Sequence, residues 1–182
     1  MRIIAGTAGG RPLKAPPDGL RPTMDRVKGA VFSSLGDLVP GAVVLDLFAG
    51  SGAMGIEALS RGAASAVFVD SNERCSRCIR ENLRMAQCDG SVQTLDVYRY
   101  LDLYAGEGTY DIIFADPPYA KKPGDIDHAA ALAVSQKLFS ALKSDGLFVL
   151  EKQSTGSLQE SLFEIGKAKR YGGSEILYLT RK

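Results

Sequence analysis

Two short stretches hold residue types at spacings that can do chemistry. The first is DLFAGSGAMG at 46–55, in which Gly50, Gly52 and Gly55 fit G-x-G-x-x-G. Glycines so placed let the backbone turn tightly, approach a ligand closely and seat a helix against a strand. A helix opening there aims unpaired N–H groups into the crevice, which suits a polar, partly anionic, nucleotide-type ligand. Several cofactor classes share the pattern, dinucleotides among them. Asp46, four residues before Gly50, tilts the choice. Its carboxylate repels a diphosphate and attracts a cationic amino-acid end, such as the ammonium of S-adenosylmethionine. Asp70 closes the next apolar run, where a carboxylate can accept both ribose hydroxyls.

The second stretch is Asp116-Pro117-Pro118-Tyr119. Asp116 and the carbonyl of Pro117 can accept the two N–H bonds of an exocyclic base amine, and the prolines fix those acceptors. Tyr119 offers a face for the base to stack on. Such an amine is a poor nucleophile, because its lone pair is conjugated with the ring. Two acceptors favour a pyramidal nitrogen and aim the lone pair at a methyl donor, so catalysis is positioning in a preorganised polar site. Losing a sulfonium charge in the step calls for no metal. Cys75 and Cys78 lie in a helical pattern without a second cysteine pair, and His128 is the sole histidine, so helix packing is their expected role.

Positioning these groups requires alternating strands and helices. Strands are expected at 43–48, 65–69, 91–95, 110–115, 147–152, 164–170 and 175–180, the last two joined by a turn at Tyr171-Gly172-Gly173. Helices are expected at about 23–38 with Thr23 as N-cap, from 53, and at 72–85, 98–104, 129–142 and 157–162. Val27, Ala30, Val31, Ser34 and Leu35 would form the inner face of the first helix, and Lys143 to Gly146 would be a turn. The alternation implies an α/β fold with a mainly parallel sheet, helices on both faces and one antiparallel edge. Residues 2–5 and 11–14 would make a small N-terminal β-hairpin. In an open parallel sheet, ligands bind beyond the carboxyl ends of the strands, so both stretches would share one rim.

The bulk properties suit one ordinary soluble domain: 182 residues, 45% hydrophobic and 24% charged. No apolar run reaches the length of a membrane span, and the start MRIIAGTAGGRPLK lacks a signal-peptide core, so a cytoplasmic protein is expected. Residues 1–28 hold six basic and two acidic residues on a chain of net charge +1. A basic segment on a near-neutral domain fits a polyanion.

Taken together, RIIAG at 2–6, Gly10-Arg11 with Leu13, RPTMDRVKGAVFSSL at 21–35, DLFAGSGAMGIEALSRGA at 46–63, DPPY at 116–119 and Tyr171-Gly172 resemble the RsmD family of small-subunit (16S) rRNA guanine-N2 methyltransferases. That family lies within the class I S-adenosylmethionine-dependent methyltransferases. The cofactor and DPPY motifs are common to many amine methyltransferases, and the RPT segment with the RIIAG start narrows the choice. The resemblance implies a Rossmann-like seven-stranded fold in a single domain over 1–182, with 1–22 as an arm touching RNA and 23–182 as the catalytic core. Asp46, Phe48, Ala49, Gly50, Ser51, Gly52 and Gly55 would hold the methionine part of the donor, Asp70 and Ser71 its ribose, and Asp96 and Val97 its adenine. Asp116 would touch donor and base alike, and Asp116 to Tyr119 would grip a flipped-out guanine. Arg21 and Thr23 would lie near the methionine end or the RNA entrance; Arg2, Arg11, Arg26, Lys28, Lys121 and Lys122 would meet RNA. The expected product is S-adenosylhomocysteine, the expected partner small-subunit rRNA, free or in a partly assembled subunit, and the expected state a monomer. Gly29 stands where relatives are expected to have glutamate.

Three other readings fit parts of the same residues. DPPY also suits adenine N6 or cytosine N4, in RNA or DNA. G-x-G-x-x-G alone suits an NAD-dependent oxidoreductase, though no hydride-transfer partner is evident. A non-catalytic RNA-binding module would use only the basic residues.

Overall fold

The run VVLDL has the β-branched and leucine content of a strand covered on both sides, and it forms β1 (Val43–Leu47), whose Val44, Leu45 and Leu47 have no exposed surface. The computed structural model describes the chain except residues 16–24, 121, 123, 156, 157 and 159. β1 is the third strand of a seven-stranded sheet ordered β3-β2-β1-β4-β5-β7-β6. The other strands are β2 (Ser65–Asp70), β3 (Ser91–Thr94), β4 (Tyr110–Ala115), β5 (Leu142–Gln153), β6 (Phe163–Tyr171) and β7 (Ser174–Arg181). β1 to β5 run parallel, and β7 is antiparallel to both β5 and β6. Strand order reverses between β1 and β4, which is where an open α/β sheet forms its ligand crevice. The class I methyltransferase architecture expected from the sequence is therefore present.

Helices α1 (Asp25–Leu35), α2 (Ala53–Ser60) and α3 (Glu73–Ala86) cover one face, packing Val31, Phe32, Ile56 and Ile79 onto Phe68 and Phe114. Helices α4 (Val97–Leu103), α5 (His128–Ala133) and α6 (Gln136–Ala141) cover the other, around Leu45, Ile113, Leu138 and Phe148. Cys75 and Cys78 are buried in the packed face of α3, free of any disulfide. The N-terminal hairpin is reduced to one antiparallel bridge, Arg2 with Pro12, and its turn is pinned to α2. Ser60 Oγ donates to the Ala5 carbonyl at 2.6 Å and accepts from the Ala8 amide at 3.0 Å. Gly6, at φ +85°, comes so near Ser60 that a Cβ would sit 1.8 Å from its carbonyl oxygen.

Four expectations need correction. The single helix expected over 129–142 is two, because Ser135 stops α5 and caps α6 through its hydroxyl, which accepts from the Leu138 amide at 3.2 Å. Lys143 to Gly146 are not a turn but a bulge within β5, where the register with β4 jumps from Tyr110–Leu142 to Ile112–Leu147. Within the expected helix at 157–162, the described residues Leu158 and Glu160 to Leu162 are irregular. The inner face of α1 is turned from the expected one: Lys28 and Phe32 are buried, whereas Ala30 and Ser34 are only half-buried. The Thr23 cap falls outside the described residues.

Candidate active site

The turn after β1 is built by backbone conformations that its sequence permits. Phe48, Gly50 and Gly52 take φ of 55°, 56° and 75°, and the Gly52 amide closes the turn on the Ala49 carbonyl at 2.7 Å. Asp70 Oδ2 accepts from the Gly50 amide at 2.8 Å, while its Oδ1 accepts from Asn72 at 2.9 Å. The end of β2 thus holds the loop at the end of β1. A Cβ on Gly55 would lie 2.3 Å from a ring carbon of Phe68, so only glycine lets α2 lie this close to β2.

Asp46 is buried at 4% exposure, and its Oδ2 accepts from the Gly55 amide at 2.9 Å. Burial pushes its carboxyl up to about 8; the Gly55 bond opposes this, and the charges of Asp116 and Asp70 reinforce it. A buried acid that cannot easily ionise is a poor resting state and a good receptor for a cation. That is the fit an ammonium or sulfonium group requires.

Asp46 pairs in register with Phe114 of β4, and Leu47 with Ala115, so the chain leaves β4 into Asp116 beside the glycine loop. Asp46 and Asp116 line one cavity, together with Glu151, Met54, Val27 and Val31. Both sequence stretches therefore meet at one end of the sheet. Asp116 and Tyr119 are half-buried, Pro117 is buried and Pro118 exposed. The Tyr119 hydroxyl donates to Glu151 Oε1 at 3.2 Å and lies 2.7 Å from Ser174 Oγ. Those partners, from β5 and β7, fix the ring. Burial pushes the phenol up, opposed by the Ser174 bond.

The expected adenine end is less uniform. Asp96 is exposed and caps α4, accepting from the Arg99 amide at 3.0 Å, with one carboxylate oxygen left for another donor. Val97 is a core residue at 2% exposure, and Ser71 is exposed beside Asp70. Ala49 and Ser51 are buried in the turn.

Several residues at this site were not singled out for it from the sequence, Glu151, His128 and Asn82 among them. His128 stacks with Tyr98, its Nδ1 2.8 Å from the Tyr98 hydroxyl, and its ring centroid is 5.2 Å from that of Phe48. Burial and the charges of Asp96 and Asp127 push the Tyr98 phenol up to about 12, so it stays a neutral donor or acceptor. Asn82, wholly buried on α3, donates to the Ser51 carbonyl at 2.9 Å and accepts from the Lys14 amide at 2.8 Å. An asparagine on the apolar stripe of α3 was the available signal.

The expected RNA contacts divide. Lys28 is a correction: its side chain is wholly buried, 3.1 Å from Glu57 and 2.6 Å from the Arg2 carbonyl, so it cannot reach a polyanion. Arg11 is another, since its guanidinium caps the C-terminus of α3 on the carbonyls of Met85 and Ala86 at 3.3 and 2.7 Å. Arg2, Arg26 and Lys122 are exposed, and Arg21, Thr23 and Lys121 lie outside the described residues. A basic stripe went unmarked in the sequence: Arg74, Arg77, Arg80 and Arg84 all lie exposed on α3, whose first turn is at the Asp70 rim. Gly29 is half-buried, and a Cβ there would meet nothing within 4 Å, so a larger side chain would find room at this position. Among the described residues, no group of three or more His, Cys, Asp or Glu could hold a metal, and no helix is long and apolar enough to cross a membrane.

Comparison with known proteins agrees with this arrangement. The sequence family described as conserved hypothetical protein 95 matches residues 1–180. The Bacillus subtilis protein YlbH is 36% identical over 91% of this chain and 89% of its own. The Escherichia coli K12 protein named ribosomal RNA small subunit methyltransferase D is 39% identical over 66% of this chain, and the match spans 61% of that protein. A solved structure of a hypothetical protein from Thermus thermophilus superposes with a TM-score of 0.83 at 32% identity, covering 99% of both chains.

Proposed function

This chain belongs to the family described as conserved hypothetical protein 95, the RsmD family, and from that premise we propose that it methylates the exocyclic N2 amine of a guanine in small-subunit rRNA, using S-adenosylmethionine. Membership makes it a methyltransferase. The observation that carries the rest is the meeting of Asp46 and Asp116 in one cavity at the reversal point of the sheet. Residues 1–182 act as one unit, on rRNA free or within a partly assembled subunit, and as a monomer.

Asp46 and the loop Phe48 to Gly52 would hold the amino-acid end of the donor, Asp70 and Ser71 the ribose, and Asp96 the adenine amine. S-adenosylmethionine, when bound, supplies a methyl group on a positively charged sulfur that leaves as the neutral thioether of S-adenosylhomocysteine. Asp116 and the Pro117 carbonyl accept the N2 hydrogens and turn the nitrogen lone pair toward the donor side of the cavity. Tyr119, braced by Glu151 and Ser174, stacks on the base and keeps it from rotating. As N2 gains its new carbon bond it releases one proton, which Asp116 is placed to take. Phosphate contacts fall to Arg26, Lys122 and the arginine stripe of α3 rather than to Lys28 or Arg11.

The test is Asp116→Ala with labelled donor and three acceptors: small-subunit rRNA, partly assembled subunits and DNA. Wild type should label rRNA or subunits, and the variant should lose about 100- to 1,000-fold in turnover. Its S-adenosylhomocysteine affinity by calorimetry should change far less than its turnover. Unaltered turnover would remove Asp116 from the chemistry, and label confined to DNA would reject the rRNA assignment.

A further inference from the structure

Glu151 has a place in the site that neither sequence stretch accounts for. Ala115 pairs in register with Leu150, so the next residue on each chain, Asp116 and Glu151, comes side by side across the β4–β5 seam. Neighbouring strands are about 4.8 Å apart. Phe114 and Val149, one pair-repeat earlier, both belong to the α1–α3 side of the core, and Asp116 and Glu151 keep that parity. Both acids line the cavity that holds Asp46, and Glu151 Oε1 takes the hydroxyl of the stacking ring of Tyr119. A base lying on that ring with its amine on Asp116 would place its Watson–Crick edge, the ring nitrogen beside the amine, within reach of Glu151.

The edge atom is what separates the possible substrates. On guanine, N1 next to the N2 amine carries a hydrogen. On adenine and on cytosine, the ring nitrogen beside the amine is a bare acceptor. An ionised carboxylate only accepts. Resting on the methyltransferase reading above, we propose that Glu151 is the specificity residue of this site, accepting N1–H and so admitting a guanine-type edge while rejecting adenine and cytosine. The penalty for a wrong base is an acceptor facing an acceptor with water excluded, the kind of mismatch that polar sites discriminate against best. DPPY alone leaves the base open; the adjacent strand closes the choice.

The test uses small-subunit rRNA whose reacting nucleotide has first been mapped with wild-type enzyme. That position is rebuilt by ligation with either guanine or 2,6-diaminopurine. The latter keeps the N2 amine but presents a bare N1. Wild type should prefer guanine by about 100-fold in kcat/KM and show the same order of affinity in equilibrium binding with S-adenosylhomocysteine. In Glu151→Gln the side-chain amide can donate to the bare N1, and the preference should shrink to within about threefold. Tyr119→Phe, which removes only the phenol bond, should weaken both RNAs alike and leave the ratio near the wild-type value. An unchanged ratio in Glu151→Gln overturns the proposal, as does a ratio that Tyr119→Phe shifts equally, because Glu151 would then act only through the ring. Wild-type enzyme that labels no guanine defeats the guanine-N2 reading on which the proposal rests, a result distinct from either of these.

Discussion

Lys28 Nζ lies 3.1 Å from Glu57 Oε2, and neither side chain has any exposed surface. Glu57 also accepts from the amides of Ile4 and Ala5 and from Arg61, so α1, α2 and the first residues of the chain converge on one carboxylate. Removing Lys28 strips one of two cations from this buried carboxylate and leaves Arg61 and the two amides to hold it. Lys28→Met should therefore cost about 1–3 kcal/mol, read as a lower urea midpoint at constant slope. RNA affinity of the folded variant should be unaltered. Unchanged stability with weakened RNA binding would return Lys28 to the RNA surface.

If Asp46 holds the donor's ammonium as proposed, donor affinity depends on pH. Its folded carboxyl sits at about 8, pushed there first by burial, so at neutral pH the ligand-free protein holds it mostly protonated. A cation placed beside it is bound best by the ionised form, so binding releases a proton. S-adenosylhomocysteine, which keeps the ammonium, should bind more tightly as pH rises, by about tenfold per unit below 8 and less above. The sign for stability is opposite. Protonation favours the ligand-free fold, fully below the ordinary value of 3.8, and the benefit is lost as pH climbs to about 8. Asp46→Asn should flatten both profiles; calorimetry in buffers of different ionisation heat checks the proton release, and a pH-independent wild-type affinity counts against it.

The α3 stripe makes its own demand. If Arg77 and Arg84 meet phosphates, replacing both by alanine should reduce the slope of log affinity against log salt by about 0.7–0.9 per arginine. S-adenosylhomocysteine binding should stay as in wild type. A slope that does not move would send the RNA to another face.

The sheet is legible in the sequence because β1, β2, β4 and the second half of β5 are apolar runs bounded by turn residues, and the two motifs sit at strand ends where local chemistry is explicit. What escaped depends on partners distant in the chain. Nothing near Lys28 shows that Glu57 waits beneath it, or that Arg11 will spend its guanidinium on the end of α3. Ser135 reads as an ordinary helix residue in the sequence, and only the packing of α5 and α6 turns its hydroxyl into a cap. Glu151 carries no motif, and its meaning comes only from the register of β5 on β4. The arginines of α3 escape for the opposite cause: their spacing is plain, but net charge along a chain does not record which face of a helix carries it.

The β1–β4 seam has a consequence for how the enzyme is made. Everything on the β1–β3 flank is synthesised before anything on the flank of β4 to β7, and Ser174, which steadies Tyr119, comes almost last. A ribosome building this chain lays down the glycine loop and the DPPY turn well ahead of β7, so a nascent chain halted before that strand would carry both motifs yet lack the Ser174 brace on the Tyr119 ring.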